Sequence, residues 1–328
     1  AIPCPSGPAT PDSFRVFEAL EAGCVPIADN KTPKETGADV EGYWKYLFPD
    51  EPFPTIDDYD FLQGKLTEIR DEYPRLNNKV FAWWQQYKRD LAMRIMDDIY
   101  TLSGVKAEYP SNKRLITVIM PTSVIPAHPD TSMIEKTIAD VRTHLPDSEI
   151  ILTFDGVRPE QQDRADDYAE YIRRVLWLAN HEWKNVLPLL YDEHQHQARM
   201  TRDALDYVIT PLVLFVEHDA PLTPDRQIEW GGLIEALRTG EANVIGFCHE
   251  ERILPDYDHM MLDKEDRPVS GVPMRRTVQW SQRPHLASAT YYRNMLEKNF
   301  HPESRTMIED VMHGVVHNHY EREGDMAW

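Results

Sequence analysis

The chain has 328 residues, 41% of them hydrophobic, and its 55 acidic against 35 basic side chains leave a formal charge of -20. That length holds one large domain or two ordinary ones. A mean hydropathy of -0.54, with no apolar run near the ~20 residues of a spanning helix, excludes an integral helical membrane protein, and the acidic balance argues against broad binding to nucleic-acid backbones while leaving room for a local nucleotide pocket.

Cys4, Cys24 and Cys248 are the three cysteines, an odd and sparse set without CxxC spacing. They support neither a disulfide framework nor a cysteine zinc site, and they fit a reducing, cytoplasmic setting. No secretory leader pattern opens the sequence. Its first residue is Ala1, so the chain is expected to start after a removed methionine or inside a longer protein.

Residues 1–30 read as the end of an α/β unit. Thr10 is a helix cap and Pro11 a first helical position. Phe14, Phe17 and Leu20 then recur at helical spacing, Gly23 closes the helix, and "CVPIA" is a strand. Residues 31–110 form a connector rich in proline, aromatics and acids. There "YWKYLFPDEPFP" predicts an ordered but irregular loop whose rings must bury against something. Asn78–Tyr100 predicts a helix with Phe81, Trp84, Leu91, Ile95 and Ile99 near one face, and "SGVKAEYPSNKR" marks a boundary.

From Leu115 onward strands and helices alternate, the pattern of an α/β sheet. "LITVIM", "EIILTF", "NVLPLLY" and "PLVLFV" read as four strands. Ser132 and Glu135 form a capping-box pattern at the first intervening helix. A long amphipathic helix follows Gly156 through Leu178, and "HQARMTRDALDYV" is a third. Open sheets of this kind place ligand sites just beyond the carboxyl ends of their strands. Pro121, Thr122, Asp155 and the tripeptide Glu217-His218-Asp219 all fall there.

Carboxylates are costly at the end of a buried strand unless something pairs with them. Glu217 and Asp219 suit a hard divalent cation, Mn²⁺ or Mg²⁺, which shares its coordination between carboxylate and phosphate oxygens; the alternative is a solvated loop after the strand. Glu309-Asp310 stands before a helical stretch, where acids favour the helix N-terminus and where a carboxylate is also suited to deprotonate a hydroxyl. Glu309, His313 and His317 share one helical face, with His319 close behind. Three ligands on one helix span too far to chelate one zinc ion unaided, and packing or solvation is the commoner role for such histidines. His194 and His196 are a polar helix start within reach of a phosphate, and "WSQRPHLASATYYR" carries rings for an acceptor face or for the core.

Residues 115 to about 320 resemble the GT-A glycosyltransferases. Ile119-Met120-Pro121-Thr122 resembles the opening strand and loop of that family, near the nucleotide, and "QARMTRDALDYVITPLVLFVEHD" resembles its arginine-bearing helix and DxD strand. Glu309-Asp310 is similar to its late ED pair. The resemblance implies an α/β fold with a Rossmann-like mixed sheet flanked by helices at residues 111–328. It also implies a metal-dependent transfer, with inversion, of a sugar from a nucleotide diphosphate donor, most simply UDP-linked, to a glycan, protein or small-molecule hydroxyl. On that resemblance Asp219, with Glu217, holds the cation, and His317 or His319 completes the metal shell. Asp155 meets the base or ribose, Arg199 the phosphate side, and Asp310 or Glu309 is the general base. Glutamate at the first DxD position departs from the family pattern.

"CPSGPATPDSFRVFEALEAGCVPIADN" resembles the last part of the nucleotide-sugar domain of exostosin-type GT-B enzymes, through Pro5, Gly7, Asp12 to Arg15, Glu18 to Leu20 and Gly23 to Pro26. The resemblance implies a loop and helix N-terminus that meet a diphosphate and a glutamate, Glu18, on ribose hydroxyls. The earlier strands of that domain and its first lobe are absent from these residues, so residues 1–30 are expected to be a partial remnant without a working site. Two rivals remain at this stage. A nucleotidyltransferase shares the α/β core but calls for a Gly- and Lys/Arg-rich loop after the first strand, and "PTSVIPAHPD" has neither. A non-catalytic nucleotide- or carbohydrate-binding protein is the other.

Overall fold

The computed structural model describes residues 1–5, 14–30, 43–48, 50–103, 115–248 and 255–324. At the amino terminus β1 (Ile2–Cys4), α1 (Phe14–Glu21) and β2 (Pro26–Asp29) make a parallel strand-helix-strand unit. Gly23 follows α1 at φ +69°, and the Cys24 N–H turns back to the Ala19 carbonyl at 2.8 Å, a glycine-closed helix end. The predicted cap at Thr10 and Pro11, with Gly7 and Asp12, lies outside the described residues.

The predicted connector completes this unit. After α2 (Tyr43–Leu47), β3 (Thr55–Ile56) pairs in parallel with β2. The aromatic stretch is therefore partly regular, and its rings are buried as expected. Trp44, Phe48 and Phe53 pack with Val16, Leu20 and Trp84 in one apolar cluster. The Trp44 indole N–H donates to the Asp29 carbonyl at 3.0 Å, which satisfies a buried donor. A parallel strand needs cover on both faces, and the amino-terminal strands obtain it from residues beyond 30.

α3 (Leu62–Ile69) leads into α4 (Tyr73–Ser103), a helix of 31 residues. The predicted single apolar face is buried only along its first half: Phe81 and Trp84 are 7% and 6% exposed, whereas Ile95 and Ile99 are 49% and 51% exposed. The predicted boundary at residues 104–114 lies outside the described residues.

The main sheet follows. In chain order it contains β4 (Ile116–Thr122), β5 (Ile150–Phe154), β6 (Val186–Leu190), β7 (Leu212–Phe215) and β8 (Val244–Gly246). A hairpin of β9 (Arg267–Val269) and β10 (Val272–Met274) stands apart, and β11 (His285–Ser288) returns to the sheet. The spatial order is β6-β5-β4-β7-β11-β8. The first four are parallel, and β11 runs antiparallel to both β7 and β8. The sheet is mixed α/β, as expected.

β4, β5 and β7 are buried along their whole lengths because helices cover both faces. Side chains alternate between faces with a period of two. Val118, Met120, Leu152 and Leu214 meet α5 (Ser132–His144), α6 (Ala165–His181) and α8 (Trp230–Thr239) on one side. Ile119, Ile151, Val213 and Phe215 meet α7 (His196–Asp206), α9 (Ala289–Asn299) and α10 (Ile308–Glu323) on the other. α4 lies along the edge strand β6, its Gln86 amide reaching the Pro188 carbonyl at 3.5 Å, and so protects that edge from further pairing. Among the described residues no helix is long and apolar enough to cross a membrane.

Two local expectations are corrected. The start of α5 is organised by Asp130, whose carboxylate accepts from the Ser132 N–H at 2.9 Å, while Thr131 Oγ1 bonds Glu135; Ser132 is the first helical residue, so the reciprocal cap proposed with Glu135 is not formed. The helix after Gly156 begins at Ala165, following a 3₁₀ stretch from Pro159 to Arg164, and ends at His181.

Candidate active site

The carboxyl ends of β4, β5 and β7 meet the N-termini of α7 and α10. Chain contacts fix this junction. Gly156 is indispensable to it, because a Cβ there would stand 2.1 Å from the Glu193 backbone carbon. The β5 end and the loop before α7 therefore touch backbone to backbone. Ala198 N–H then bonds the Thr306 carbonyl at 3.1 Å, which brings the segment before α10 onto the start of α7.

Within Glu217-His218-Asp219 the three side chains divide. His218 is 6% exposed. Its Nδ1 lies 3.3 Å from the Pro121 carbonyl, and its own carbonyl accepts from Thr137 Oγ1 at 2.7 Å. It pins the end of β7 to β4 and α5, and burial pulls its imidazole below the usual range. Asp219 is exposed, and Glu217 is half-buried. Burial first, and then the neighbouring charges of Asp219 and Glu309, push the Glu217 carboxyl up to about 7. Glu217 thus feels charge both from its own strand end and from the start of a helix far away in sequence.

Gln197 links the two elements. Its Nε2 donates to Glu217 Oε1 at 2.8 Å, and its Oε1 accepts from the Ile308 N–H at 3.0 Å at the start of α10. The Gln282 amide nitrogen donates to the same Oε1, and the Gln282 backbone N–H donates to Glu309 Oε2 at 3.3 Å. Because a backbone N–H can only donate, the Gln197 amide has one possible orientation. Both glutamines are buried, in keeping with the rule that buried polar groups are hydrogen-bonded. Neither was singled out in the sequence. The available signal was a polar residue on the inward face of the helix "HQARMTRDALD".

Asp155 is 3% exposed. Its Oδ1 accepts from the Gln195 N–H at 2.6 Å, the His196 N–H lies 3.2 Å from Oδ2, and His194 Nδ1 is 2.7 Å from that oxygen. Both oxygens are thus engaged by the loop before α7, at the residue expected to meet a base or ribose. His196 holds φ +66°, an uncommon backbone for a residue with a side chain. Burial first and then Arg158 lower its imidazole, with Asp155 and Asp310 opposing; Asp310 therefore lies on this side of the junction. It is exposed, whereas Glu309 is half-buried against Gln282.

Pro121 and Thr122 sit at the end of β4, with the Thr122 carbonyl accepting from the Asp155 N–H at 3.0 Å. Arg199 does not reach the carboxylates: its guanidinium bonds Glu303 at 2.8 Å in the segment before α10. His317 and His319 are likewise apart. Eight residues along α10 from Glu309 is about 12 Å. The two side chains are 50% and 44% exposed beside Glu321 and Glu323. The expectation that either completes a metal shell at Asp219 is corrected on that geometry. Trp280 and Tyr292 are core residues, packed around His285. Among the described residues no group of three or more His, Cys, Asp or Glu side chains is arranged to hold a metal ion.

No protein-family model and no curated protein matches the chain. Solved structures align with it at low identity. A mannosyltransferase from Pyrobaculum calidifontis in complex with GDP-Man and Mn²⁺ is 14% identical over 67% of this chain and 58% of its own, at a TM-score of 0.38. TarS residues 1–349 from S. aureus is 12% identical over 62% and 55%, at 0.37. The 4-diphosphocytidyl-2C-methyl-D-erythritol synthase from Anaerococcus prevotii is 15% identical over 64% and 84%, at 0.36. The chain thus spans little more than half the length of the first two.

Proposed function

We propose that residues 111–328 form a glycosyltransferase that uses a divalent cation and moves a sugar from a nucleotide diphosphate, most simply a UDP-sugar, to a hydroxyl acceptor. The observation that carries the reading is the hydrogen-bonded link from Glu217 at the end of β7 through Gln197 and Gln282 to Glu309 at the start of α10, with Asp219 two residues beyond Glu217 and Asp310 next to Glu309 in the chain. The sequence resemblance of residues 115 to about 320 to GT-A enzymes supports it independently of that geometry.

The donor set suits Mg²⁺ or Mn²⁺. Both ions take carboxylate oxygens and fill their remaining positions with water and substrate phosphate, so Glu217 and Asp219 need no third protein ligand. Burial first, and then the charges of Asp219 and Glu309, drive the Glu217 carboxyl up to about 7, and a bound cation would favour its ionised form against both. When bound, the cation neutralises charge on the departing diphosphate. Gln197 keeps Glu217 oriented, and the Asp155 clamp fixes the loop that carries His194 and His196 beside the donor. Glu309 is held by Gln282, which leaves Asp310 facing solvent to take the proton of the acceptor hydroxyl as it attacks the anomeric carbon. Attack from the face opposite the diphosphate inverts that carbon.

UDP affinity measured by calorimetry tests the reading: it is expected to fall sharply in EDTA and to recover with Mn²⁺ or Mg²⁺. Equal affinity with and without metal, together with no sugar release from any UDP- or GDP-sugar, overturns it.

A further inference from the structure

We propose that a second cavity, between α1, α4 and α6, is a binding site for a neutral saccharide, separate from the strand-end site. The cavity measures about 240 Å³; its polar wall includes Asn77, Asn78, Arg173, Trp177, Asn180 and His181, and apolar side chains such as Phe81 and Leu176 complete it. α6 starts near the carboxyl ends of the strands, and Trp177 lies twelve residues along it, about 18 Å from that start.

The lining has the three properties that sugar recognition demands. First, it offers a flat ring. Trp177 is 49% exposed, and one side of it is braced by His181, whose ring stacks at 4.8 Å and 17°. His181 is itself fixed by its Nδ1 bond to the Trp177 carbonyl at 2.8 Å. The negative face of an aromatic ring attracts the weakly positive C–H bonds on one side of a pyranose, for the reason that ring edges attract ring faces.

Second, an unpaired hydrogen-bond group lies buried in its wall. Asn78 is 3% exposed, and its Nδ2 donates to the Ala169 carbonyl at 3.0 Å. That bond fixes the amide orientation and leaves Oδ1, which has no partner among the described residues. Buried acceptors of this kind are uncommon and call for a donor; a sugar hydroxyl is one. Asn77 is spent on the Gly23 carbonyl at 2.8 Å and shapes the wall.

Third, the cavity carries no net demand for charge. No carboxylate lines it, and Arg173 is occupied by bidentate contact with Glu170 at 2.7 and 2.8 Å, a carboxylate that Arg174 shares at 2.8 Å. A neutral polyhydroxylated ring meets these conditions, and the volume suits one such ring. The inference does not rest on the transfer reaction, since it concerns different residues and needs neither donor nor cation.

Saturation-transfer NMR tests it, with EDTA present and methyl α-mannopyranoside, methyl β-glucopyranoside, methyl N-acetyl-β-glucosaminide and adenosine as probes. At least one glycoside is expected to receive saturation, strongest at its ring C–H protons. Trp177→Ala is expected to weaken that transfer about tenfold and Trp177→Phe to retain part of it; both substitutions are at a half-exposed surface position, and circular dichroism checks their fold. Asn78→Ser, which keeps the polar character but withdraws the acceptor, is expected to weaken it as well. Silence from all three glycosides overturns the proposal, as does transfer that survives Trp177→Ala. Trp177-dependent binding of adenosine alone overturns it in favour of a nucleobase site.

Discussion

Replacing Gln197 by leucine isolates the strut that joins the strand end to α10. The substitution keeps the side chain's size but removes one donor and one acceptor that serve three partners: Glu217 Oε1, the Ile308 N–H and the Gln282 amide. Glu217 is half-buried and can recover water. Ile308 and Gln282 cannot readily do so, being 0% and 7% exposed. A buried donor left without an acceptor costs about 1–3 kcal/mol. Two of them, less about 1 kcal/mol regained by burying leucine, give a destabilisation of about 1–5 kcal/mol. At about 2.1 cal/mol/K of unfolding entropy per residue, that corresponds to a fall in Tm of about 1–7 °C for a chain of this size. Urea titration and scanning calorimetry of the ligand-free protein measure it. Gln282→Ala alone leaves the Ile308 bond intact and should cost about 1 kcal/mol. In the double variant the Gln282 donor is already gone, so the combined loss should fall short of the sum by about 1 kcal/mol. A Gln197→Leu protein within about 0.5 kcal/mol of wild type, or strict additivity with Gln282→Ala, refutes a buried network at this position.

Four further outcomes are expected. Asp219→Ala should abolish transfer and the metal-dependent part of UDP binding while leaving the thermal transition in place, because an exposed turn carboxylate supplies little packing; nucleotide titration under Mn²⁺ and calorimetry check both halves. Asp310→Asn should slow the chemical step by ~10²-fold or more with donor affinity unchanged, and if single-turnover rates fall only in Glu309→Gln, the roles of the two carboxylates are exchanged. Glu217 keeps its proton up to about 7 when folded against 4.5 ordinarily. The folded state therefore binds more protons between those values, and stability declines as pH rises through that window; denaturation at stepped pH should show a slope that Glu217→Gln or saturating Mn²⁺ flattens. Arg15→Ala and Glu18→Ala should leave transfer largely intact, with one nucleotide-sugar site per chain by titration. Two sites, one of them lost with Glu18, would show that the amino-terminal unit binds a donor itself.

The central strands were legible in the sequence because their signal is local. "LITVIM" and "EIILTF" are β-branched apolar runs, and strands buried on both faces need nothing else. The gathering of polar strand ends was legible for a related reason: a parallel sheet sends the loops after its strands to one edge, and Glu217-His218-Asp219 follows such a strand. Helix starts were less so, since α5 is opened by an Asp130 contact that competes with the Ser132 and Glu135 pattern on equal terms. The first half of α4 and its second half have the same apolar spacing, yet Phe81 and Trp84 are buried while Ile95 and Ile99 stand half-exposed. Periodicity reports which face is apolar and is silent on whether a partner covers it.

The tertiary structure alone decided the roles within the site. Glu217, His218 and Asp219 are consecutive, but only the approach of Pro121 and Thr137 turns the histidine inward and leaves the carboxylates for chemistry. Asp155 stood at the expected strand end, and the return of the 194–196 loop consumed its oxygens. Gln197 meets Ile308 across 111 residues of sequence. No spacing rule spans that distance, because the contact exists only once α7 and α10 pack on the same face of the sheet. Residue type and short-range pattern determined what each segment would become; which polar groups were left unpaired, and hence free to bind, was settled by packing between segments remote in the chain.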